Sequence, residues 1–474
     1  MRVVLVTAPA ECHGAPKLLG RIRRSPCPPL GMAYLAAALE AHGHSVELLD
    51  ALTLGWGPAD TAQAVAATQP GVVGLSSYTM TKFMAYEVLR QVKLRLPEVV
   101  TVMGGPHATV SPESIFEESE DLDIILRGEA ENGMAELVDR LEDGRSYDDV
   151  PGIMLRESAA SISVGPSPEP VMDLDRIRYP ARHIFDKNLY NAFLPLISYQ
   201  EMPSAVLMTS RGCPWARCKF CNEGGRNSPL YRRRSPENVI GELRQLVEDD
   251  GIRFAYLYDD NFCVNMKWIS TFCDLLDREA WPLSWSAFGR ANTVTPEMLG
   301  RMAASRCVHL SYGFESGNQD ILDLINKGIT LDQGRQAVAW TREAGIEMRG
   351  FMMLGFPLET PEMSQKTIRF ALELDTELMF FHPYYVLPGT ALEELALQEG
   401  RFIEHDNATL YAPSYVPNTY TSITQLQRMV HSAYRRYYLR PRYIGRALRD
   451  AASLAMLKDY LRSLPLALRM MGRG

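Results

Sequence analysis

The chain has 474 residues, of which 46% are hydrophobic and 22% are charged, and its formal net charge at pH 7 is −8. This composition is that of a folded globular protein, and the length exceeds one ordinary hydrophobic core, so two or three domains are expected. The negative net charge argues against nucleic acid as the main partner.

The beginning of the chain has no recognisable secretory signal peptide, and no apolar run approaches the roughly 18 residues that span a bilayer. The eight cysteines form no paired framework, which suits a reducing compartment. We therefore expect a cytoplasmic protein without a transmembrane segment.

Residues 1–150 alternate predicted strands and helices with short connections. This alternation predicts a Rossmann-like, doubly wound parallel sheet covered on both faces. Ligands of such sheets bind beyond the carboxyl ends of the strands. Each glycine at these ends, taken alone, is more simply interpreted as a turn. The predicted strands are 3–6, 45–50, 72–77, 99–106 and 123–129, the helices are 30–42 and 84–96, and the strand-end residues are Ser76, Ser77, Tyr78, Gly104, Gly105 and Gly128.

Residues 151–200 are rich in proline and serine, which predicts a linker with a β-hairpin. Residues 201–400 again alternate strands and helices, and six βα units predict a partial (β/α)6 TIM-like barrel with its chemistry at the carboxyl ends of the strands. Residues 401–474 are predicted to be helical. The predicted barrel strands are 204–210, 254–258, 283–288, 308–313, 348–354 and 379–386, and the helices are 236–248, 266–279, 296–304, 333–344 and 361–374.

Three of the eight cysteines, Cys213, Cys218 and Cys221, lie on the loop that follows the first barrel strand. Structural zinc usually has four protein ligands, and no second Cys-x2-Cys pair occurs in the sequence. An iron–sulfur cluster normally has four thiolate ligands, so three cysteines leave one iron open for a substrate or cofactor. We therefore favour a catalytic iron–sulfur cluster over zinc and over three unrelated core cysteines.

A strand, Ser-Arg-Gly-Cys-Pro and a final Cys-Lys-Phe-Cys resemble the radical SAM enzymes. The resemblance implies that Cys213, Cys218 and Cys221 hold a [4Fe-4S] cluster and are the catalytic residues. It also implies that S-adenosylmethionine (SAM) chelates the fourth iron and is cleaved to a 5′-deoxyadenosyl radical. The spacing is C-x4-C-x2-C instead of the commoner C-x3-C-x2-C, so we expect the cluster to be retained and the loop to bulge.

Pro-Pro-Leu-Gly-Met-Ala-Tyr-Leu-Ala-Ala near the start, Gly-Gly-Pro-His-Ala-Thr (104–109) and Arg-Gly-Glu-Ala-Glu (127–131) resemble the cobalamin-binding domain of one large radical SAM class. The resemblance implies that cobalamin binds to residues 1–150. The cobalt-ligating Asp-x-His-x-x-Gly motif is absent, as in many members of the class. His107 is interpreted as part of the loop that faces the ligand, and the other implied cofactor-binding residues are Ser76, Ser77, Gly104, Gly105, Gly128 and Glu129.

The later barrel strand ends resemble the SAM-binding segments of the family in their order. Asp259 and Asp260 are candidates for the SAM amino group, although an Asx turn explains Asp259 equally well. Arg290 is suited to the methionyl carboxylate. Glu315, with its neighbour Ser316, resembles the ribose-contacting segment, and Lys327 after it is either related or a solvated helix residue. Gly355 and Tyr384 are the candidates near adenine.

Residues 428–474 carry ten arginines and only two aspartates. A basic amphipathic region suits a membrane surface, a partner or an acidic ligand. The simpler interpretation, which we prefer, is a set of helices whose Leu/Met face packs on the barrel.

These observations predict a radical SAM enzyme that methylates an unactivated carbon of a small natural-product intermediate with cobalamin. The second hypothesis is radical dehydration or deoxygenation of a sugar or cyclitol diol, or oxidative cyclisation, without methyl transfer and without the need for cobalamin. The third is a non-catalytic cobalamin- or redox-sensing regulator. An external electron donor such as flavodoxin, ferredoxin or an NADPH-linked reductase is expected to reduce the cluster.

Overall fold

The computed structural model describes residues 1–9, 27–158, 161–186, 189–190, 203–224, 230–403, 414–450 and 472, with only the backbone described for 447–450. Cys12 lies outside these ranges. The chain divides into two compact units, Met1–Ala192 and Phe193–Gly474. In the described part of the chain, no helix combines the length and the apolar character that crossing a membrane requires.

The first unit is built on a seven-stranded sheet flanked by helices. Its strands are β1 Arg2–Thr7, β2 Ser45–Asp50, β3 Val72–Ser76, β4 Val100–Gly104, β5 Ile124–Leu126, β6 Ile153–Ser158 and β7 Ser161–Val164. Its helices are α1 Leu30–Ala41, α2 Ala51–Leu54, α3 Pro58–Thr68, α4 Lys82–Arg95, α5 Pro106–Val110, α6 Pro112–Glu118 and α7 Glu131–Asp143, with short 3₁₀ turns at Thr79–Thr81, Leu174–Arg176 and Arg182–Ile184.

The strand order is β2-β1-β3-β4-β5-β6-β7. The first five strands are parallel, and the predicted hairpin forms β6 and β7, which extend the same sheet with antiparallel pairing. Successive residues of β1 enter opposite cores, Val4 and Val6 on one face and Val3 and Leu5 on the other. A strand buried on both faces is therefore continuously apolar. The order reverses between β1 and β3, and ligands of such sheets bind at this switch point.

Three strands of the first unit are shorter than predicted, and the one expected at 72–77 ends one residue early, at Ser76. The strand expected at 99–106 ends at Gly104, because Gly105 has a φ of +93° and Pro106 begins α5. The strand expected at 123–129 ends at Leu126, and Gly128 turns the chain with a φ of +72°. Both glycines adopt a backbone conformation that is costly for other residues.

The second unit contains a six-stranded sheet with helices between its strands. The strands of this unit, inside and outside that sheet, are β8 Ser204–Leu207, β9 Ser210–Arg211, β10 Arg232–Arg233, β11 Phe254–Leu257, β12 Ser284–Gly289, β13 Cys307–Glu315, β14 Glu347–Leu354, β15 Leu378–Pro383, β16 Gly400–Phe402 and β17 Tyr415–Pro417. Its helices are α8 Pro236–Glu248, α9 Met266–Glu279, α10 Pro296–Ala304, α11 Gln319–Leu324, α12 Leu331–Glu343, α13 Pro361–Leu374, α14 Glu393–Gln398, α15 Ile423–Tyr438 and α16 Pro441–Asp450, with a 3₁₀ turn at Asn222–Gly224.

The order β15-β14-β13-β12-β11-β8 is sequential, and all five pairings are parallel. This arrangement confirms the predicted partial (β/α)6 barrel. The strand expected at 204–210 ends at Leu207, because Ser210 and Arg211 pair with β10. The strand expected at 379–386 ends at Pro383, since proline cannot continue a ladder.

Helix α15 covers the edge strand β15 through its tyrosine side chains. The backbone N–H groups of Phe381 and Met379 donate to the hydroxyls of Tyr434 and Tyr438 at 3.1 and 3.0 Å, and Tyr438 donates back to the Met379 carbonyl at 2.8 Å. Edge strands carry unpaired backbone groups that must be satisfied. The tyrosine hydroxyls satisfy them in place of a seventh strand.

Three described arginines of the C-terminal region contact an acidic turn of the same unit. Arg440 and Arg442 pair with Asp375, and Arg446 pairs with Glu377 at 3.3 Å. These contacts agree with the preferred interpretation that this region packs on the barrel. Residues 451–471 and 473–474 lie outside the described residues.

Candidate active site

The cysteine loop is fastened to the turn that follows α11. The backbone N–H of Lys219 donates to the Ile325 carbonyl at 2.9 Å. The Trp215 indole donates to the Asn326 carbonyl at 3.0 Å, and the Asn326 amide donates to the Arg217 carbonyl at 3.0 Å. Three interlocked hydrogen bonds therefore fix the loop on the carboxyl side of the barrel strands, where barrel enzymes carry their chemistry.

The three cysteine side chains are reduced and largely withdrawn from solvent. Cys218 is buried, and Cys213 and Cys221 are half-buried. Burial raises the pKa of Cys221 to about 12. Burial also raises the pKa of Cys218, against an opposing effect of the nearby Lys327 and Arg290. Buried thiols ionise when a bound cation stabilises the thiolate, so this donor set fits a metal cluster.

Within the described ranges, no three His, Cys, Asp or Glu side chains lie close enough together to hold a single metal ion. A single zinc ion would require sulfur atoms about 2.3 Å from the metal. The described side chains do not meet that requirement.

The two aspartates after β11 have different surroundings. Asp259 is buried, and its carboxylate accepts from the Thr209 and Ser210 backbone at 2.7 and 3.1 Å and from the Thr209 hydroxyl. It therefore ties the end of β8 to the end of β11. These donors lie after β8 and not in the turn after Asp259, so they are not those of the Asx-capped turn considered from the sequence. Asp260 is partly accessible to solvent. Partial desolvation of its carboxyl and the charge of Asp259 raise its pKa. The charge of Asp260 also contributes to the raised pKa of Cys221.

Arg290 follows β12 and has a guanidinium that is only partly paired. Its Nε donates to Asn292 Oδ1 at 2.8 Å. Its Nη2 is buried and has no hydrogen-bond partner among the described residues. The side chain lies beside Cys218, where its positive charge partly offsets the rise that burial causes in the pKa of that thiol. A buried guanidinium nitrogen without a partner fits a carboxylate ligand next to the cysteine loop.

Glu315 and Lys327 form a buried ion pair that the sequence does not reveal. Lys327 Nζ lies 2.7 Å from Glu315 Oε1, and each side chain is 11% exposed. Lys327 is therefore not a solvated helix residue. Gly313 makes room for the pair, because a Cβ there would lie 2.4 Å from Glu315 Oε1. Ser316 is buried, and its hydroxyl contacts Thr367 at 3.1 Å, so it braces the turn.

Gly355 follows β14 and has a φ of +87°, and Glu359 organises the turn that begins there. The backbone N–H groups of Gly355 and Phe356 donate to Glu359 Oε2 at 2.8 and 2.9 Å, and Ser364 donates to Oε1 at 2.5 Å. Glu359 is completely buried, and burial raises its pKa to about 7. The sequence interpretation missed this residue, because its role depends on contacts with the turn.

Tyr384 is buried after β15 and packs within a hydrophobic cluster. Its ring lies 4.8 Å from that of Phe356, in a stacked arrangement. Its backbone N–H donates to the Leu354 carbonyl at 2.8 Å, and its hydroxyl has no partner in the described part of the chain. Phe220 of the cysteine loop lies 6.0 Å from Phe356, so the predicted adenine segment adjoins that loop.

In the first unit, the predicted cofactor residues gather at the carboxyl edge of the sheet. A Cβ on Gly105 would lie 2.5 Å from Ser76 Oγ, so the turn after β4 closes tightly on the end of β3. The hydroxyl of Ser77 is buried and donates to the Met103 sulfur at 3.6 Å. The neighbouring Tyr78 is 59% exposed at this edge. Close backbone approach beside an exposed ring fits a large ligand at the carboxyl ends of β3 and β4, next to the switch point.

His107 lies inside the first unit instead of facing a ligand. Its Nδ1 lies 3.2 Å from the Thr79 hydroxyl and its Nε2 lies 3.4 Å from the Tyr86 hydroxyl. The residue is 1% exposed, and burial, with a contribution from Lys82, lowers its pKa to about 4. His107 therefore supports the Gly104–Gly105 loop from behind as a neutral side chain.

The remaining predicted residues border the same edge. A Cβ on Gly104 would lie 3.4 Å from the Leu126 carbonyl. The backbone N–H of Gly128 donates to Thr109 Oγ1 at 3.0 Å. Glu129, the next residue, is half-buried. These contacts join the turn after β5 to the turn after β4.

Two family models match the chain, the B12 binding domain over residues 16–138 and the Radical SAM superfamily over residues 207–371. The protein named uncharacterized methyltransferase PH0819 from Pyrococcus horikoshii is 32% identical over 94% of each chain. Anaerobic magnesium-protoporphyrin IX monomethyl ester cyclase from Rubrivivax gelatinosus is 26% identical over 88% of this chain and 75% of its own length.

The solved structure of TsrM from Kitasatospora setae, a radical SAM methyltransferase with cobalamin and a [4Fe-4S] cluster bound, matches the fold with a TM-score of 0.68. The match covers 90% of this chain and 81% of that chain at 18% identity.

The fold and the site together define a radical SAM enzyme. The chain belongs to the radical SAM enzymes that carry an amino-terminal cobalamin-binding domain. The cofactors of these two domains are cobalamin for the first, and SAM with a [4Fe-4S] cluster for the second. The family membership predicted from the sequence is confirmed.

Proposed function

We propose that this enzyme transfers a methyl group from SAM to a carbon atom of a small natural-product intermediate. The observation that carries the proposal is the surroundings of Cys218. A buried cysteine loop, the Glu315–Lys327 pair and the Arg290 Nη2 atom, which has no partner among the described residues, lie together there. The methyltransferase name of the Pyrococcus relative, which matches over 94% of both chains, supports methyl transfer as the reaction.

The residues of the second unit are assigned roles by their contacts. Cys213, Cys218 and Cys221 bind three irons of the cluster, and the bound cofactors supply the radical and methyl-transfer chemistry. Asp260 accepts hydrogen bonds from the ammonium group of SAM, and Arg290 donates to its carboxylate. Glu315, oriented by Lys327, accepts from the ribose hydroxyls. Gly355 and Tyr384 border adenine. Asp259 and Ser316 brace the strand ends.

In the first unit, Ser76, Gly104, Gly105, Gly128 and Glu129 border cobalamin, while Ser77 and His107 support that edge from inside. We keep the division into a cobalamin-binding domain (1–150), a linker (151–200), a barrel (201–400) and a helical region (401–474), with the β6–β7 hairpin joined to the first sheet. An oxygen-sensitive cluster suits the cytoplasm, and an external electron donor such as flavodoxin, ferredoxin or an NADPH-linked reductase reduces it.

The test is anaerobic reconstitution with iron, sulfide and cobalamin, followed by reduction in the presence of methyl-labelled SAM and candidate substrates. We expect bound corrinoid by absorbance, and both 5′-deoxyadenosine and S-adenosylhomocysteine by mass spectrometry. The Cys218→Ala variant is the control and loses both products. A fully reconstituted enzyme that forms neither product contradicts the proposal.

A second candidate is oxidative cyclisation without methyl transfer, favoured by the similarity to the Rubrivivax cyclase. The related alternative of radical dehydration of a sugar or cyclitol diol uses the same site. Formation of 5′-deoxyadenosine without S-adenosylhomocysteine would select this group of reactions over methylation.

A further inference from the structure

Trp215 lies in the four-residue stretch between Cys213 and Cys218, on the loop that the sequence analysis expects to bulge. The residues between the two cysteines include Ala216, which has a φ of +40°, a left-handed conformation that alanine seldom adopts. This turn brings Trp215 onto the segment 326–328, where its indole N–H donates to the Asn326 carbonyl at 3.0 Å. The predicted bulge is thus an ordered contact between two loops.

Gly328 leaves the space that the Trp215 indole ring occupies. A Cβ on Gly328 would lie 2.1 Å from Trp215 Cζ2, and the glycine has a φ of +65°. The Gly328 carbonyl also accepts from the Asn292 side-chain amide at 3.1 Å. The ring position and the Asn292 position are therefore set by the same glycine.

Arg290 lies on the face of this ring. Its Cζ is 4.5 Å from the Trp215 ring centroid, within the range of a cation–π contact. Its Nε is held by Asn292 Oδ1 at 2.8 Å, while Nη2 is buried and has no partner among the described residues. Two neighbours therefore fix the plane of the guanidinium and leave one nitrogen available beside Cys218.

We propose that Trp215 is a positioning residue that holds the Arg290 guanidinium on its ring so that Nη2 binds the carboxylate of SAM. This inference rests on the proposed function, which assigns that carboxylate to Arg290.

The test compares Trp215→Leu, which removes the aromatic face and the N–H, with Trp215→Phe, which keeps an aromatic face. The half-buried Trp340 lies on the outer helix α12, so Trp340→Leu is the matched control. The reduced cluster is titrated with SAM by electron paramagnetic resonance, and KM and kcat are measured for SAM cleavage. Iron and sulfide content is measured in every variant.

For Trp215→Leu we expect a rise of about tenfold in the SAM concentration for half-saturation and in KM, equivalent to about 1.4 kcal/mol, with full iron content and little change in kcat. Trp215→Phe recovers most of the affinity, and Trp340→Leu equals wild type. In an Arg290→Gln background, Trp215→Leu adds little, because the two residues act through one contact.

Unchanged half-saturation and KM in Trp215→Leu would overturn the inference. Gly328→Ala displaces the ring from the other side and should reproduce the loss of SAM affinity. Loss of cluster iron in both Trp215→Leu and Gly328→Ala would also overturn it, since the ring would then support the loop itself. A wild-type cluster whose spectrum does not respond to SAM would instead contradict the proposed function.

Discussion

Glu359 is a carboxylate held inside the second unit by the backbone that it organises. Its two oxygens accept from Gly355, Phe356 and Ser364, and Ser364 in turn accepts from the Tyr420 hydroxyl at 2.7 Å. Burial outweighs these hydrogen bonds and raises the pKa to about 7. The residue therefore titrates near neutral pH beside the predicted adenine segment.

Glu359 makes the stability of the second unit depend on pH. Because its pKa is raised on folding, the folded state binds the proton more tightly, and the free energy of unfolding falls as pH rises from about 4.5 to about 7. The rise from 4.5 to about 7 corresponds to roughly 3 kcal/mol. We expect Glu359→Gln to flatten this slope, because the amide keeps the acceptor for Gly355 and Phe356.

The measurement is thermal unfolding of both proteins between pH 5 and pH 8. Glu359→Asp serves as the control that keeps an acid but shortens its reach to the turn. A wild-type slope that persists unchanged in Glu359→Gln would show that another group titrates.

His107 makes the stability of the first unit depend on pH in the opposite direction. Burial lowers its pKa to about 4, so the unfolded state binds the proton more tightly and stability is lost as pH falls from about 6.5 to about 4. We expect a total of roughly 3 kcal/mol of acid destabilisation from this group. His107→Gln should reduce it, as measured by urea unfolding at pH 7 and pH 5, and an unaltered difference between the two pH values would refute the assignment.

Among the elements, α15 stabilises an exposed strand through side-chain hydroxyls. Removing the hydroxyl of Tyr438 leaves the N–H and carbonyl of Met379 without that partner, at a cost of about 1 to 3 kcal/mol. We expect Tyr438→Phe and Tyr434→Phe each to lower the stability of the second unit, and Gln427→Ala, on the exposed face of α15, to have little effect. Amide hydrogen exchange in β15 should become faster in these two variants. Unchanged protection of the Phe381 and Met379 amides would contradict the prediction.

Local signals in the sequence predicted helices more accurately than strand ends. Helices α8, α9, α10 and α13 begin and end where predicted, because Ser235, Asn265, Thr295 and Thr360 cap their first turns. Helix α12 begins two residues earlier than predicted, after the cap Thr330.

Contacts between distant residues could not be predicted from local patterns. The partnership of Glu315 with Lys327 depends on how the turn after α11 folds back, and that of Asp259 with Thr209 depends on the pairing of β8 with β11. Motif order predicted the candidate site along the chain, but only the fold shows that Asp259 contacts Thr209 and that Ser316 contacts Thr367.

At the scale of the whole molecule, the chain consists of two units with separate cores and separate groups of candidate cofactor residues. The cysteine loop lies entirely in the second unit, and the Ser76–Gly105 contact lies entirely in the first. Loading of the two cofactors should therefore be separable by substitutions, although the proposed reaction needs both.

Cys218→Ala should lose cluster iron and SAM cleavage while retaining cobalamin, because its side chain lies in the second unit. Gly105→Val should show the converse, since its Cβ would lie 2.5 Å from Ser76 Oγ on a backbone with a φ of +93°. We expect this variant to bind at least tenfold less corrinoid and to keep its iron and its SAM-dependent cluster spectrum. Gly144→Val is the matched control, because a Cβ there meets nothing within 4 Å although its φ is also positive. Joint loss of corrinoid and iron in Cys218→Ala and in Gly105→Val would mean that the two cofactors are loaded cooperatively, and the assignment of one cofactor to each unit would have to be abandoned.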